Sequence, residues 1–500
     1  MTGAETRRLR YSFGPLERRG LLGDVGAGRV LVLALGAVLA VLTLDRAPSA
    51  SGAFGALTVC ALATAVAFAP VAGRTLEAWV PVAVAFFARR LRGGDRFVSP
   101  LAGVGHRVGR LGTRAPRWEP AVAAPPGPLR GVRILTAVHR DLPLGVLSQC
   151  GGRRLTAVLA CRVGAFTLLD PEAQEQRLAR WGLVLAGAGG GAIRRLQWIE
   201  RTAPAQGDEL AHWMHAERDP LVPRGAAMLE SYLELISTST RVAQEHEVLL
   251  AVQVEAGRVR ERGRDAVMRS LIESTERIAQ VLEAAEVTVL GALAPAQIAR
   301  TLRTAYDPYA RGELTALEGA DPGREGPQEA GAWPLGAREL WDHYEADGAL
   351  HATYWISGWP RVEVSPVFMD SLLGRSGTVR TVAVSFEPIA IERSTREVEA
   401  AVTRDHADRA LRARFGQSET ARQRQAAEAT RRREAELAAG HGEVRLSGFV
   451  TVSGRDRDEL RQGCAEVLEQ AARARLELRR LYGQQADAFT FTLPLCRGLR

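Results

Sequence analysis

The sequence contains no lysine: all 65 of its basic side chains, histidine aside, are arginine. That excludes a phosphate loop of the G-x-x-x-x-G-K-[ST] type, a Schiff-base amine and a lysine general base. It also suggests a GC-rich coding bias. Cysteine is scarce. Cys60, Cys150, Cys161, Cys464 and Cys496 include no C-x-x-C pair, and reduced, mostly buried thiols are expected. No G-x-S-x-G elbow, no H-E-x-x-H helix and no carboxylate pair on an obvious scaffold is present. The common hydrolase and zincin signatures are therefore missing. What the chain does have is an ordinary globular composition, 46% hydrophobic and 24% charged, which excludes wholesale disorder. At 500 residues it exceeds one domain of roughly 100–200 residues.

The net charge of +8 is unevenly spread. Residues 1–140 hold 19 Arg against 7 acids, a surplus of +12, so residues 141–500 carry −4. The basic excess surrounds two charge-free runs. Val30–Leu44, extended back to Val25 so that Arg29 can snorkel, is long enough to cross a hydrocarbon core of roughly 30 Å. Ser51–Gly73 is the second, rich in small residues that allow close helix contact. Only Asp45–Ala50 separates them, so the two runs form an antiparallel membrane hairpin. Arg18, Arg19 and Arg29 precede it, and Arg74, Arg89, Arg90 and Arg92 follow. The positive-inside rule then places both termini in the cytoplasm of an inner-membrane, multi-pass protein. Thr75–Ala88 is apolar but too short to span. With Trp79, Phe86 and Phe87 it reads as a membrane-interface helix or as a cytosolic continuation of the second span.

These features divide the chain into a cytoplasmic arm at 1–26, a transmembrane hairpin at 27–74 and a basic juxtamembrane segment with a Pro/Gly linker at 75–128. A first module at 129–310, a linker at 311–336 and a second module at 337–500 follow. Strand-like and helix-like runs alternate in both modules. Arg133–Val138, Gly145–Gln149, Leu155–Ala160 and Val163–Leu168 read as strands before Asp170-Pro171-Glu172 opens a helix running to Gly187. Ile193–Arg201, Glu247–Glu255 and Glu286–Leu290 are further strands, and Leu271, Thr275, Ile278 and Leu282 share one helical face. In the second module His351–Ser357, Val379–Phe386 and Glu443–Val452 read as strands. Arg393–Ala439 is a charged helical region that breaks near Gly416. Leu460, Cys464, Val467, Ala471, Ala474, Leu478 and Leu481 form the 4-3-4-3 stripe of an amphipathic helix, and Ala488–Leu495 reads as a closing strand. Several strands precede the first helix, so the expected class is α+β with mixed sheets rather than a doubly wound nucleotide fold.

Chemistry is thin along these elements. Gly187-Ala188-Gly189-Gly190-Gly191 follows a helix and precedes a strand, the reverse of a phosphate-binding order, and reads as a helix terminus. His212 and His215, with Glu217 and Asp219 nearby, lack a third ligand at matched spacing. His343 and His351 flank a polar turn. No cofactor is expected. Arg107, Arg110, Arg114, Arg117, Arg130 and Arg133 form a basic stretch next to the membrane, where the lipid bilayer is the expected partner. A direct nucleic-acid surface is not expected on the acidic remainder.

Tyr11-Ser12-Phe13-Gly14-Pro15-Leu16-Glu17-Arg18-Arg19-Gly20-Leu21-Leu22 before a two-span hairpin resembles actinobacterial integral membrane proteins of type IV-like secretion and conjugation loci. The hairpin itself resembles the PrgI-type subunit. Arg177–Arg201, Ile278–Pro308 and Gly483–Leu499 are similar to the non-motor N-terminal domain of the conjugation ATPase. The resemblance implies a non-enzymatic, membrane-anchored platform without the motor. It would dock a separate secretion or conjugation ATPase within a homo-oligomer or multi-subunit complex. A type VII-like secretion membrane subunit is the alternative within secretion. A membrane-anchored enzyme centred on His212 and His215 and a membrane-tethered DNA-binding protein are alternatives of other classes.

Overall fold

The computed structural model describes residues 27–99, 125–310 and 329–499, apart from 72, 165, 190, 205–226, 241–243, 361, 375, 415–420 and 439–441. The arm at 1–26, with Arg18 and Arg19, lies outside the described residues, as does His212–His215.

Two apolar helices come first, α1 (Ala27–Arg46) and α2 (Ala50–Phe68). Ser49 caps α2, its side chain accepting from the Gly52 amide at 3.4 Å. Both helices are long and apolar enough to cross a membrane. They leave Leu31, Leu35, Phe54 and Leu57 exposed, as lipid-facing residues require. They meet where Gly36 leaves room: a Cβ there would lie 2.4 Å from Ala63 Cβ, the close approach that small residues permit. A two-stranded ladder, β1 (Pro70–Val71) with β2 (Arg74–Thr75), leads into α3 (Leu76–Leu91) and β3 (Arg96–Val98).

The sheet domain begins with β4 (Arg133–His139), β5 (Leu142–Gln149) and β6 (Arg154–Arg162). Next comes α4 (Pro171–Gly187), capped by Asp170, which accepts from the Ala173 amide at 2.8 Å. β7 (Ile193–Pro204), α5 (Ala227–Thr240) and β8 (Gln244–Glu255) follow, then α6 (Arg264–Ala284), β9 (Thr288–Ala292) and α7 (Pro295–Tyr306). The later part holds β10 (Gly336–Glu339), β11 (Tyr344–Ala346), β12 (Ala349–Gly358), the short α8 (Asp370–Leu373) and β13 (Val379–Pro388). The charged helices α9 (Ile391–Arg414) and α10 (Ala421–Ala438) precede β14 (Val444–Gly454). The chain closes with α11 (Arg457–Arg473), β15 (Glu477–Arg480) and α12 (Gln485–Phe489).

Strands β3 to β15 form one 13-stranded sheet. The α+β class holds, but every ladder among the described residues is antiparallel, not mixed. The sheet is continuous from the first expected module into the second through β7 and β13, which pair from Thr202↔Arg380 to Leu196↔Phe386. Both faces are covered, which is why the central strands read as nearly unbroken apolar runs. Along β8, Leu249 and Ala251 face α7 and the chain after α12, whereas Leu250 and Val252 face α4 and α6. That is the period of two that a strand imposes.

Outward from the central β7–β13 pair, one half runs β7-β8-β6-β5-β4 and the other β13-β14-β12-β11-β10. β9 pairs with β6 as β15 pairs with β12. α6 follows β8 as α11 follows β14. Val267, Leu271, Ser274 and Ile278 repeat the spacing of Leu460, Cys464, Val467 and Ala471, and all eight are buried. Each helix is followed by a non-glycine residue of positive φ, Glu286 at 60° and Arg475 at 56°. The halves are therefore a tandem repeat. Antiparallel pairing of equivalent strands relates them by an approximate two-fold axis.

Three local expectations are corrected. The described residues of Val163–Leu168 form no strand: β6 ends at Arg162, where its last partner is Thr288, and Phe166–Leu168 makes a 3-10 turn. The stripe through Leu481 spans a helix and a strand, because α11 stops and Arg475 reverses the chain. Ala488–Leu495 is not a strand: Ala488–Thr492 is helical, in α12 and a 3-10 turn at Thr490–Thr492, and Leu493–Leu495 bends and turns. The Thr490 and Thr492 hydroxyls donate to the Asp487 and Phe489 carbonyls at 2.7 and 3.0 Å, so threonines that alternate like a strand instead close turns.

Candidate functional site at the membrane-proximal joint

Sequence-marked residues converge where the apolar hairpin meets the sheet domain. α3 lies between them. On one side Arg29 of α1 reaches Glu77 of α3 at 3.2 Å and lies over the Phe68 ring at 5.8 Å. On the other side Arg89 Nε and Nη2 donate to the Glu339 carboxylate at 3.2 and 3.4 Å, and Nη2 donates to the Gly483 carbonyl at 2.7 Å. Glu339 also accepts from the Ala486 amide at 3.2 Å. Burial holds the Glu339 carboxyl above its usual range, and Arg89 opposes that shift without cancelling it. Desolvation thus outweighs attraction at this pair.

Aromatic packing reinforces the ion pair. Trp341, in the β10–β11 turn, is met by Trp79 at 5.7 Å, by Phe86 edge-on at 5.1 Å and by Phe87 at 6.4 Å. Phe86 is 2% exposed and turned into the protein, whereas Phe87 is 56% exposed. Gly483 makes the approach possible: its φ is +67°, and a Cβ there would lie 2.7 Å from the Trp341 ring. Beyond α3, β3 joins the outer edge of β10, with Ala337 opposite Phe97. The anchor is thus fastened by a ladder, an ion pair and a ring cluster. Of the other topology residues, Arg90 and Arg92 are exposed, and Arg74 lies over Trp79 at 5.4 Å.

A second feature is absent from the sequence expectations. A buried polar row on the sheet grips the segment after α12. Gln197 donates to the Phe491 carbonyl and accepts from the Cys496 amide, both at 2.7 Å. Gln149 and Gln253 both donate to the Leu495 carbonyl, at 2.8 and 3.1 Å. Single glutamines inside apolar strands were the available signal, because a buried amide requires partners.

His212 and His215, on which the enzyme alternative is centred, lie outside the described residues; the other histidines and thiols singled out in the sequence are structurally occupied. His351 is fully buried, with Nδ1 at 2.8 Å from Ser453 Oγ and Nε2 at 2.9 Å from the Tyr306 carbonyl, and burial lowers its pKa to about 4. His343 contacts Asp342 at 2.8 Å and Glu345 at 3.3 Å. Burial pushes the Cys161 and Cys496 thiols up to about 12, away from reactive thiolate character. Among the described residues no group of three or more His, Cys, Asp and Glu side chains could hold a metal ion.

Residues 240–356 match the family described as putative type VII ESX secretion system translocon, EccE. The match runs from the last residue of α5 into β12 and includes Glu339 and Trp341, the sheet-side partners of α3. Comparison with curated proteins finds no match. Between the two secretion readings the match favours type VII. It lends nothing to the PrgI-like and conjugation-ATPase resemblances.

Proposed function

We propose that the protein is a membrane-anchored, non-enzymatic subunit of a type VII secretion translocon. The hairpin holds it in the inner membrane with both termini cytoplasmic, and the duplicated sheet offers a platform to neighbouring subunits and to a separate motor ATPase. The observation that carries this reading is the similarity of residues 240–356 to a translocon family, in a chain whose matched segment is bolted by Glu339 and Trp341 to α3, the helix that follows the two apolar helices. A platform of this kind works by rigid placement rather than by chemistry, which suits buried histidines and protonated thiols.

Gentle detergent extraction of native membranes followed by affinity purification tests the proposal. Recovery of other membrane chains of a type VII translocon is expected. Recovery of a type IV conjugation ATPase and its partners instead would overturn it.

A further inference from the structure

Only Ala69–Gly73 separates Arg74 from the end of α2, so its guanidinium lies at the level where a bilayer's headgroups meet the protein. Arg74 Nη2 donates to Gln484 Oε1 at 3.4 Å and lies over Trp79. No carboxylate among the described residues forms an ion pair with it. Its neighbours differ: Arg89 is answered by Glu339 and Arg480 by Asp342. Arg479 approaches from the sheet. Its stem packs on Gly73, where a Cβ would lie 3.3 Å from Arg479 Cδ, its Nη1 donates to the Gly73 carbonyl at 3.5 Å, and its guanidinium lies over Trp355 at 4.5 Å. Trp79 is 6.0 Å from Tyr482, which Arg480 covers at 5.6 Å, so each cation of this corner lies over its own ring.

We propose that Arg74, over Trp79, and Arg479, packed on Gly73 and over Trp355, bind the phosphate of an anionic phospholipid. A planar guanidinium offers two parallel donors that match phosphate oxygens. Tryptophan and tyrosine suit the layer where acyl chains meet headgroups. The chemistry is that of any phosphate. The lipid is the chosen source because the site adjoins the hairpin and the rings would contact the glycerol and upper acyl region. Burial lowers the pKa of Arg74, and a membrane phosphate would offset that desolvation.

The site rests on the membrane reading of the hairpin. The full chain, purified in neutral detergent, is titrated with phosphatidylglycerol, phosphatidylcholine or inorganic phosphate, and bound lipid is counted by native mass spectrometry. Wild type is expected to prefer phosphatidylglycerol roughly tenfold. The double variant Arg74→Gln, Arg479→Gln should lose that preference. The pair Arg74→Lys, Arg479→Lys should keep part of it, and Arg269→Gln, on the exposed face of α6, should leave it unchanged. Unchanged unfolding midpoints separate lost binding from lost structure. Equal preference in wild type and the double glutamine variant overturns the site, as does saturation by inorganic phosphate without any lipid preference. Release of the chain from membranes without detergent would break the anchoring reading itself.

Discussion

The two halves of the sheet share strand order and helix placement, yet they end differently. The outer edge of β10 is taken by β3, the strand that follows the anchor, whereas β4 has no second neighbour among the described residues. A polar cross-strand pair likewise recurs with different chemistry. Gln253 donates to Thr156 Oγ1 at 3.2 Å between β8 and β6, and His351 meets Ser453 between β12 and β14. A repeat supplies two equivalent positions, and only one of each has been made into an attachment or a titrating group. The half that carries the anchor also carries the histidine and most of the buried rings.

The sharpest way to break this asymmetry is at Phe489, which packs against His351 at 4.6 Å, Tyr306 at 4.9 Å and Tyr344 at 5.4 Å. Phe489→Ala should cost about 3–5 kcal/mol, read by urea unfolding of the detergent-solubilised chain. Hydrogen exchange should rise first in β11 and β12, not in their counterparts β5 and β6.

Acid should act on the same half. His351 titrates near 4 when folded against 6.5 as its ordinary value, so the unfolded chain binds the proton more readily. The stability contributed by the neutral ring is complete above pH 6.5 and is lost as pH falls towards 4, about 3 kcal/mol in all. Unfolding midpoints measured at intervals across that window should show the slope, and His351→Gln should flatten it.

Arg89→Leu leaves Glu339 buried without its cation and should cost about 2 kcal/mol, because the carboxyl can protonate instead of unfolding the joint. Faster hydrogen exchange in β3 and β10 would accompany the shift. The opposite edge is the control: Thr136→Ala on exposed β4 should stay within about 0.5 kcal/mol.

The sequence made the elements legible where local signals agreed. Asp170-Pro171 fixed the start of α4, and apolar spacing placed α6 and most of α11. It also exposed the two spans, since nothing but lipid or a large core tolerates such runs. Other features were hidden for physical reasons. Strand direction depends on pairing across the chain, which no single run encodes. Phe86 looks the same on a membrane-interface helix and on one packed against Trp341. The threonines of the closing segment suit a strand until their hydroxyls find carbonyls one turn back. The duplication was visible only as a repeated alternation, since Thr156 and His351 share a place in the fold but no chemistry.

The grip of Gln197, Gln149 and Gln253 on the segment between Phe491 and Cys496 has a consequence in time. That segment is synthesised after every strand it covers. The first half therefore leaves the ribosome with one face of its sheet covered by α7 alone, while the apolar hairpin made much earlier can already be in the bilayer. Folding of the sheet would then be completed beside the membrane, in the setting where the finished joint is needed.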